Sequence, residues 1–407
     1  MKDSRDITKI IKAADYRTEG HNAIQKAVEI CAAQGGGTVL IEAGEWTSGP
    51  IHLTSHIHLQ LEKGAKITFS DCPEDYLPVV FTRWEGTECY NYSPLIYAKD
   101  AEDISITGEG ILYGNGENWW PWKQLQQQAA DDLYHAASEG IPVEQRVYGT
   151  REAALRPSFI QLIDCKEVLL SDFTIIDGPQ WTIHPVYCEN VVVRGVTVDT
   201  KGPNTDGLNP DSCKDVLIEE CHFCTGDDCV AINSGINEDG WRVGKPCQNI
   251  TIRNCMMTGG HGGVVIGSAM SGGVENILMT NCHISNTMQG IRLKSMRGRG
   301  GYVRNVKIRD IRLENITDQA IQVNMFYESS TVIPKTQTPP VFSEISMENV
   351  EGTSLGLGIQ IKGLPEQKLQ DLHLKNIHLQ AQNAMLCSDV SGLTLDQVEI
   401  TERSIGE

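Results

Sequence analysis

One pattern recurs along the second half of this chain at intervals no helix would produce. It appears as VLLSDFTI (168–175), VVVRGVTV (191–198), VLIEECHF (216–223), ITIRNCMM (250–257) and ILMTNCHI (277–284). It continues as VKIRDIRL (306–313), ISMENVEG (345–352), LHLKNIHL (372–379) and LTLDQVEI (393–400). Each segment alternates apolar and polar residues, then breaks at a small or polar pair that often includes Asn. Successive starts lie 23, 25, 34, 27, 29, 39, 27 and 21 residues apart. A period of this size without helical patterning predicts stacked short strands. A second apolar stretch follows within most repeats: CVAIN, GVVIG, GIRLK, AIQVN and GIQIK. Two or three strands per turn wind into a parallel β-helix, an all-β solenoid whose coils lie about 4.8 Å apart. Asn-Gly hairpin signals are sparse, which argues against an antiparallel sandwich or a propeller.

The 407 residues would suggest several domains in an ordinary fold, but a solenoid grows without limit along its axis. No linker or low-complexity segment interrupts the chain, so residues 1–407 are expected to form one domain. The amphipathic stretch HNAIQKAVEICAA (21–33) places Ala23, Ile24, Ala27, Val28 and Cys31 on one face. It is expected to cap the open N-terminal edge of the coil. The repeat is broken over about 115–160, where NWWPWKQLQQQAADDLYHAASEG is partly helical and is expected to protrude from the side.

No apolar run approaches the ~20 residues that span a bilayer. The polar opening MKDSRDITKI is not a secretory signal, giving a cytoplasmic protein as the expectation. The thirteen cysteines are an odd number and mostly sit beside apolar residues, so they read as reduced, buried side chains. The one Cys-x-x-Cys, CHFC at 221–224, falls inside a repeat and reads as structural; no metal or other cofactor is expected. A net charge of −19 argues against nucleic acid as a partner and leaves an acidic small substrate open.

Aligning the second strands on their apolar positions stacks Asp206, Asp228, Gly262 and Gln289 on successive coils. Asp227 accompanies Asp228, and strict alternation would send the two to opposite faces. Both reach one face only at a turn, which Gly226 permits. His261 precedes Gly262; Arg292 and Lys294 form an i, i+2 pair facing outward while Ile291 and Leu293 point in. Each residue alone has a bland reading as a turn, loop or solvated side chain. Together they put three carboxylates, a histidine and two cations on one ridge. Clustered carboxylates titrate apart, so one retains a proton while others activate water, which is the division of labour in glycoside hydrolysis. The cations suit a sugar that carries a carboxylate.

NTDG (204–207), GDD (226–228), GHG (260–262) and RLK (292–294) in this order resemble glycoside hydrolase family 28, the polygalacturonases. The family has R-I-K at the last motif, where this chain has Leu293. The resemblance extends from the capping helix through WEGTECYNYSPLIYA (84–98) to about Tyr327. It implies a right-handed parallel β-helix that cleaves α-1,4-galacturonosyl linkages with inversion. It further implies Asp227 as general acid, Asp206 and Asp228 activating water, and His261 supporting the acid. Arg292 and Lys294 would hold a galacturonate carboxylate, Tyr327 would lie at the substrate, and Asn204 would fix the loop and touch sugar.

NPDS (209–212) and GINEDGWRVGKP (235–246) are similar to bacterial exo-acting members. Segments 77–100 and 115–160 add bulk beside the expected sugar site, giving exo action as the expectation. Trp119, Trp120 and Trp122 either wall off the pocket or pack the insertion against the coil. Competing readings are a hydrolase of rhamnogalacturonan-derived or unsaturated galacturonides, a calcium-dependent pectate lyase, and a non-catalytic carbohydrate-binding protein. The sequence leaves oligomeric state open.

Overall fold

The computed structural model describes residues 9–327 and 338–402. Its strands run parallel in three ladders, two of which merge from Val274–Ser285 onward, apart from a single antiparallel hairpin. The nine repeat starts are mutual partners. Val168 pairs with Val191, then Val216, Ile250, Ile277, Val306, Ile345, Leu372 and Leu393 follow one coil at a time. From Val168 to Leu372 these side chains are at most 2% exposed. The register is strongly fixed because a one-residue slip would turn this entire apolar column outward.

The polar pair in each repeat has a backbone cause. Asn249, Asn254, Asn276, Asn281 and Asn305 all adopt positive φ, between 51° and 59°. Asn tolerates this left-handed conformation better than most residues. The bend it makes lets the chain turn a corner, and its amide can then pair with the same position one coil away. Asn276 Nδ2 donates to Asn249 Oδ1 at 3.0 Å, and Asn305 Nδ2 donates to Asn276 Oδ1 at 2.7 Å.

The second ladder carries the functional residues. It runs through Ile51–Leu53, Ile96–Lys99, Ile160–Ile163 and Ile183–Val186, then through Leu208 by isolated bridges. It continues into Val230–Ile232, Gly262–Ile266, Gln289–Lys294, Gln319–Asn324, Leu357–Lys362 and Asn383–Ser388. The cap is the helix Ala23–Ala33, whose five expected core residues are all buried. Its last turn gives way to Gly35 and Gly36 at positive φ.

All thirteen cysteines are free, and most are buried. Cys165, Cys188, Cys213 and Cys247 occupy one position on successive coils, as do Cys221, Cys255 and Cys282. Cys72 and Cys387 are exposed and Cys224 is half-buried, so burial does not extend to every cysteine. Cys224 lies at the end of the strand His222–Cys224, where the chain leaves the ladder.

The hairpin Val80–Trp84/Thr87–Asn91 and the helices Gly116–Trp119 and Gln127–Ser138 stand off the coil. Trp119 is 1% exposed and stacks edge-on against Tyr76 and Trp122. Trp122 also meets Tyr92, and Trp120 Nε1 donates to the Gly178 carbonyl. The three tryptophans therefore pack the insertion onto the coil, and none lines the cleft described below.

Candidate active site

The stacking of the acids follows from backbone hydrogen bonds between coils. Gly207 N donates to Asp228 O at 3.0 Å, and Cys229 N donates to Gly262 O at 2.7 Å. Gly262 in turn pairs with Gln289. Asp206, Asp228, Gly262 and Gln289 thus occupy one vertical row. Asp227 and Asp228 lie between the strands His222–Cys224 and Val230–Ile232, on a bend that releases them from alternation. Both carboxylates face the same cleft as Asp206.

Two motif glycines are required by their neighbours. Gly260 has φ +66°, and a Cβ there would stand 1.8 Å from the Asp227 carbonyl oxygen. A Cβ on Gly262 would stand 2.4 Å from Val265 Cγ2 and 2.9 Å from Asp228 Oδ1. The GHG motif therefore lets the histidine coil approach the acid coil at all.

The cleft has a volume of about 690 Å³. Asp206 is 5% exposed and its Oδ2 accepts from Asn209 Nδ2 at 2.8 Å. Burial, then the charges of Asp227 and Asp228, push its carboxyl well above the usual range. Burial also pushes Asp227 up, but the His261 hydrogen bond, the Lys294 charge and the Asp228 N–H outweigh it, leaving Asp227 below the usual range. His261 Nδ1 lies 2.8 Å from Asp227 Oδ1. That hydrogen bond raises the imidazole above its ordinary value despite partial burial. Both shifts favour the ion pair, a charged Asp227 against a protonated ring.

Asp228 Oδ2 accepts from Lys294 Nζ at 3.0 Å, with both groups buried. Its Oδ1 is buried and has no hydrogen-bond partner among the described residues. A carboxylate oxygen left this way carries a desolvation penalty that a bound water or hydroxyl would relieve.

The expected binding residues divide. Lys294 and Tyr327 line the cleft, and the Lys294 ammonium lies 5.1 Å from the Tyr327 ring centroid. Lys294 is nonetheless committed to Asp228 in addition to facing the cleft. Arg292 is half-buried and does not line the cleft; its Nε donates to Gln322 Oε1 and its guanidinium lies 5.4 Å from the Tyr327 ring. Asn204 lines the cleft and is held from behind: its Oδ1 accepts from Arg156 Nη2 at 2.8 Å.

Arg156 is fully buried and also donates to the carbonyls of Pro179 and Pro203. Burial lowers its guanidinium to about 10. Sequence reasoning missed it, because an arginine in the irregular stretch LRPSF carries no periodic signal. It also missed the cleft residues Glu85, Lys123, Gln127, Tyr134 and Trp181. The general expectation of bulk from segments 77–100 and 115–160 pointed toward the first four, and nothing pointed toward Trp181.

The walls are fixed by buried ion pairs. Arg83 Nη1 meets Asp211 Oδ1 at 2.9 Å with both side chains 0% exposed, and Asp211 Oδ2 meets His184 Nε2 at 3.3 Å. Asp239 accepts from Glu88 N at 3.0 Å and from Arg146 Nη1 at 2.7 Å. The distinctive acids of NPDS and GINEDG thus anchor the hairpin and insertion to the coil.

Comparison with known proteins places this arrangement. The profile of glycosyl hydrolases family 28 matches residues 145–402. The crystal structure of a hyperthermoactive exopolygalacturonase from Thermotoga maritima is 37% identical, covering 97% of this chain and 92% of that one, with a TM-score of 0.92. The Yersinia enterocolitica family 28 exopolygalacturonase shares the fold, with a TM-score of 0.80 at 24% identity over 97% of this chain and 77% of that one. A probable polygalacturonase of Vitis vinifera is 28% identical over 93% of this chain and 76% of its own length. With the coil, the row of acids and the family match in agreement, this chain belongs to glycosyl hydrolases family 28 and is a glycoside hydrolase.

Proposed function

We propose that the enzyme releases galacturonate from the non-reducing ends of α-1,4-linked galacturonan and its oligomers, with inversion. The observation that carries this reading is an asymmetric cleft. The three carboxylates, Lys294 and Tyr327 line it together, and Glu85 of the hairpin with Lys123, Gln127 and Tyr134 of the insertion add a wall that the repeat itself does not supply. The likeness to the Thermotoga maritima exopolygalacturonase supports the substrate class.

In this mechanism Asp227 protonates the leaving oxygen. The proton reaches it across the 2.8 Å contact from His261, once a sugar excludes water and the low dielectric disfavours the charged pair. Asp228, through its unpartnered Oδ1, takes the proton from the attacking water, which Asp206 helps to hold. Lys294 holds Asp228 Oδ2 in place through its 3.0 Å bond and, with Arg292 beside Tyr327, attracts a substrate carboxylate. Asn204, braced by Arg156, positions the loop at the sugar.

Product profiling tests the reading. Polygalacturonate should yield monomer from the first time point; an early ladder of mid-length oligomers overturns exo action. A product absorbing through a carbon–carbon double bond, lost on chelation, would indicate a lyase instead.

A further inference from the structure

We infer that Glu85 reads the free 4-hydroxyl of the terminal sugar and so makes a chain end a requirement for cleavage. This rests on the proposed galacturonan hydrolysis and deepens it.

Glu85 occupies a costly place in the backbone. The hairpin Val80–Trp84/Thr87–Asn91 closes through Glu85-Gly86, with φ +42° and +87°. A two-residue connection of this kind favours Asn-Gly or Gly-Gly. A glutamate at a left-handed position is strained, and here the strain falls at a hairpin tip rather than at a bend of the coil. The tip is also pinned. Gly86 O accepts from Ile236 N at 3.2 Å, Arg83 Nε donates to the same carbonyl, and a Cβ on Gly86 would stand 3.3 Å from Ala269 Cβ.

The carboxylate is aimed by two neighbours and retains capacity. Tyr134 Oη donates to its Oε2 and Gln180 Nε2 to its Oε1, each at 3.1 Å. Burial pushes this carboxyl above the usual range, and in either protonation state its oxygens keep lone pairs beyond the two bonds accepted, so a hydroxyl can still be received.

Position along the axis completes the argument. Gln180 precedes Trp181 and Thr182, and Thr182 N donates to Asp206 O, which puts Glu85 one coil before Asp206. Asp228 follows Asp206, and Lys294 lies two coils beyond Asp228. The reactive carboxylates therefore lie between Gln180, which holds Glu85, and the strand that carries Lys294, while Lys123 lies on the Glu85 side. A galacturonide with one carboxylate at Lys294 puts the sugar to be released against Glu85. In an internal residue the 4-oxygen bears the next sugar, so it neither donates a hydrogen bond nor fits against the hairpin tip.

The test compares trigalacturonate with the trimer whose non-reducing ring is 4,5-unsaturated and lacks the 4-hydroxyl. The parent enzyme should prefer the saturated trimer in kcat/KM by about 10- to 100-fold, the range of a hydrogen bond to a charged group. E85A should erase that preference by slowing only the saturated trimer, and E85Q should reduce it with the parent's melting temperature. A parent without the preference, or an E85A and E85Q that keep it, overturns the assignment. A parent that frees no galacturonate from trigalacturonate overturns the underlying activity, and the assignment with it.

Discussion

Asp206 is the residue where function and stability oppose each other most directly. Its carboxyl is raised by burial and by two like charges, whereas in the unfolded chain it titrates near ~3.9. Between those values the folded state binds the extra proton, so stability falls as pH rises through the window. Asp206→Asn should therefore raise the melting temperature at pH 7 by roughly 1–3 °C while abolishing turnover, and the gain should vanish below about pH 4. A scanning-calorimetry series across pH reads both. His261 works with the usual sign: its raised value adds stability that is present at low pH and lost as pH climbs through the folded value. Lys294 also changes meaning at this scale. The spacing R-L-K marked it as a substrate cation, and only the coordinates show its 3.0 Å bond to Asp228. Lys294→Ala should accordingly lower kcat as well as raise KM on trigalacturonate, since it leaves a buried carboxylate without its counter-charge. An effect confined to KM would return Lys294 to a purely substrate-binding role.

Elements differ in how much of them the sequence could show. The strands were legible because apolar alternation, the repeat period and the Asn bends all report the same register. The capping helix was legible from its 3.6-residue pattern. The walls were not, because the hairpin and insertion are held by contacts between residues far apart in the chain, such as Arg83 with Asp211. Tryptophan content alone could not choose between lining and packing, and the coordinates decide for packing. Arg83 gives the test at this scale. Removing one partner of a fully buried ion pair leaves the other charge unpaired, so Arg83→Ala should cost roughly 3–5 kcal/mol in denaturant unfolding. A loss under about 1 kcal/mol, the range of an exposed pair, would show that the hairpin is anchored by other contacts.

At the scale of the molecule, winding turns sequence distance into adjacency. Asp206, Asp228 and His261 come from three coils, and Gly260 and Gly262 allow those coils to touch. That geometry was readable because the anchors fall one repeat apart; the cleft's asymmetry was not, because it comes from the two segments that break the repeat. Since no step of the proposed chemistry runs through a metal ion, thorough chelation should leave turnover unchanged, which an assay of released reducing sugar will show. The most direct measurement is the hydrolysis rate of digalacturonate by the parent and by Asp227→Asn, each with its melting curve. The expected result is a loss of roughly 10²- to 10⁴-fold in kcat with a cooperative melting curve that shows the variant still folded. An Asp227→Asn enzyme that turns over digalacturonate at the parent's rate would contradict the site.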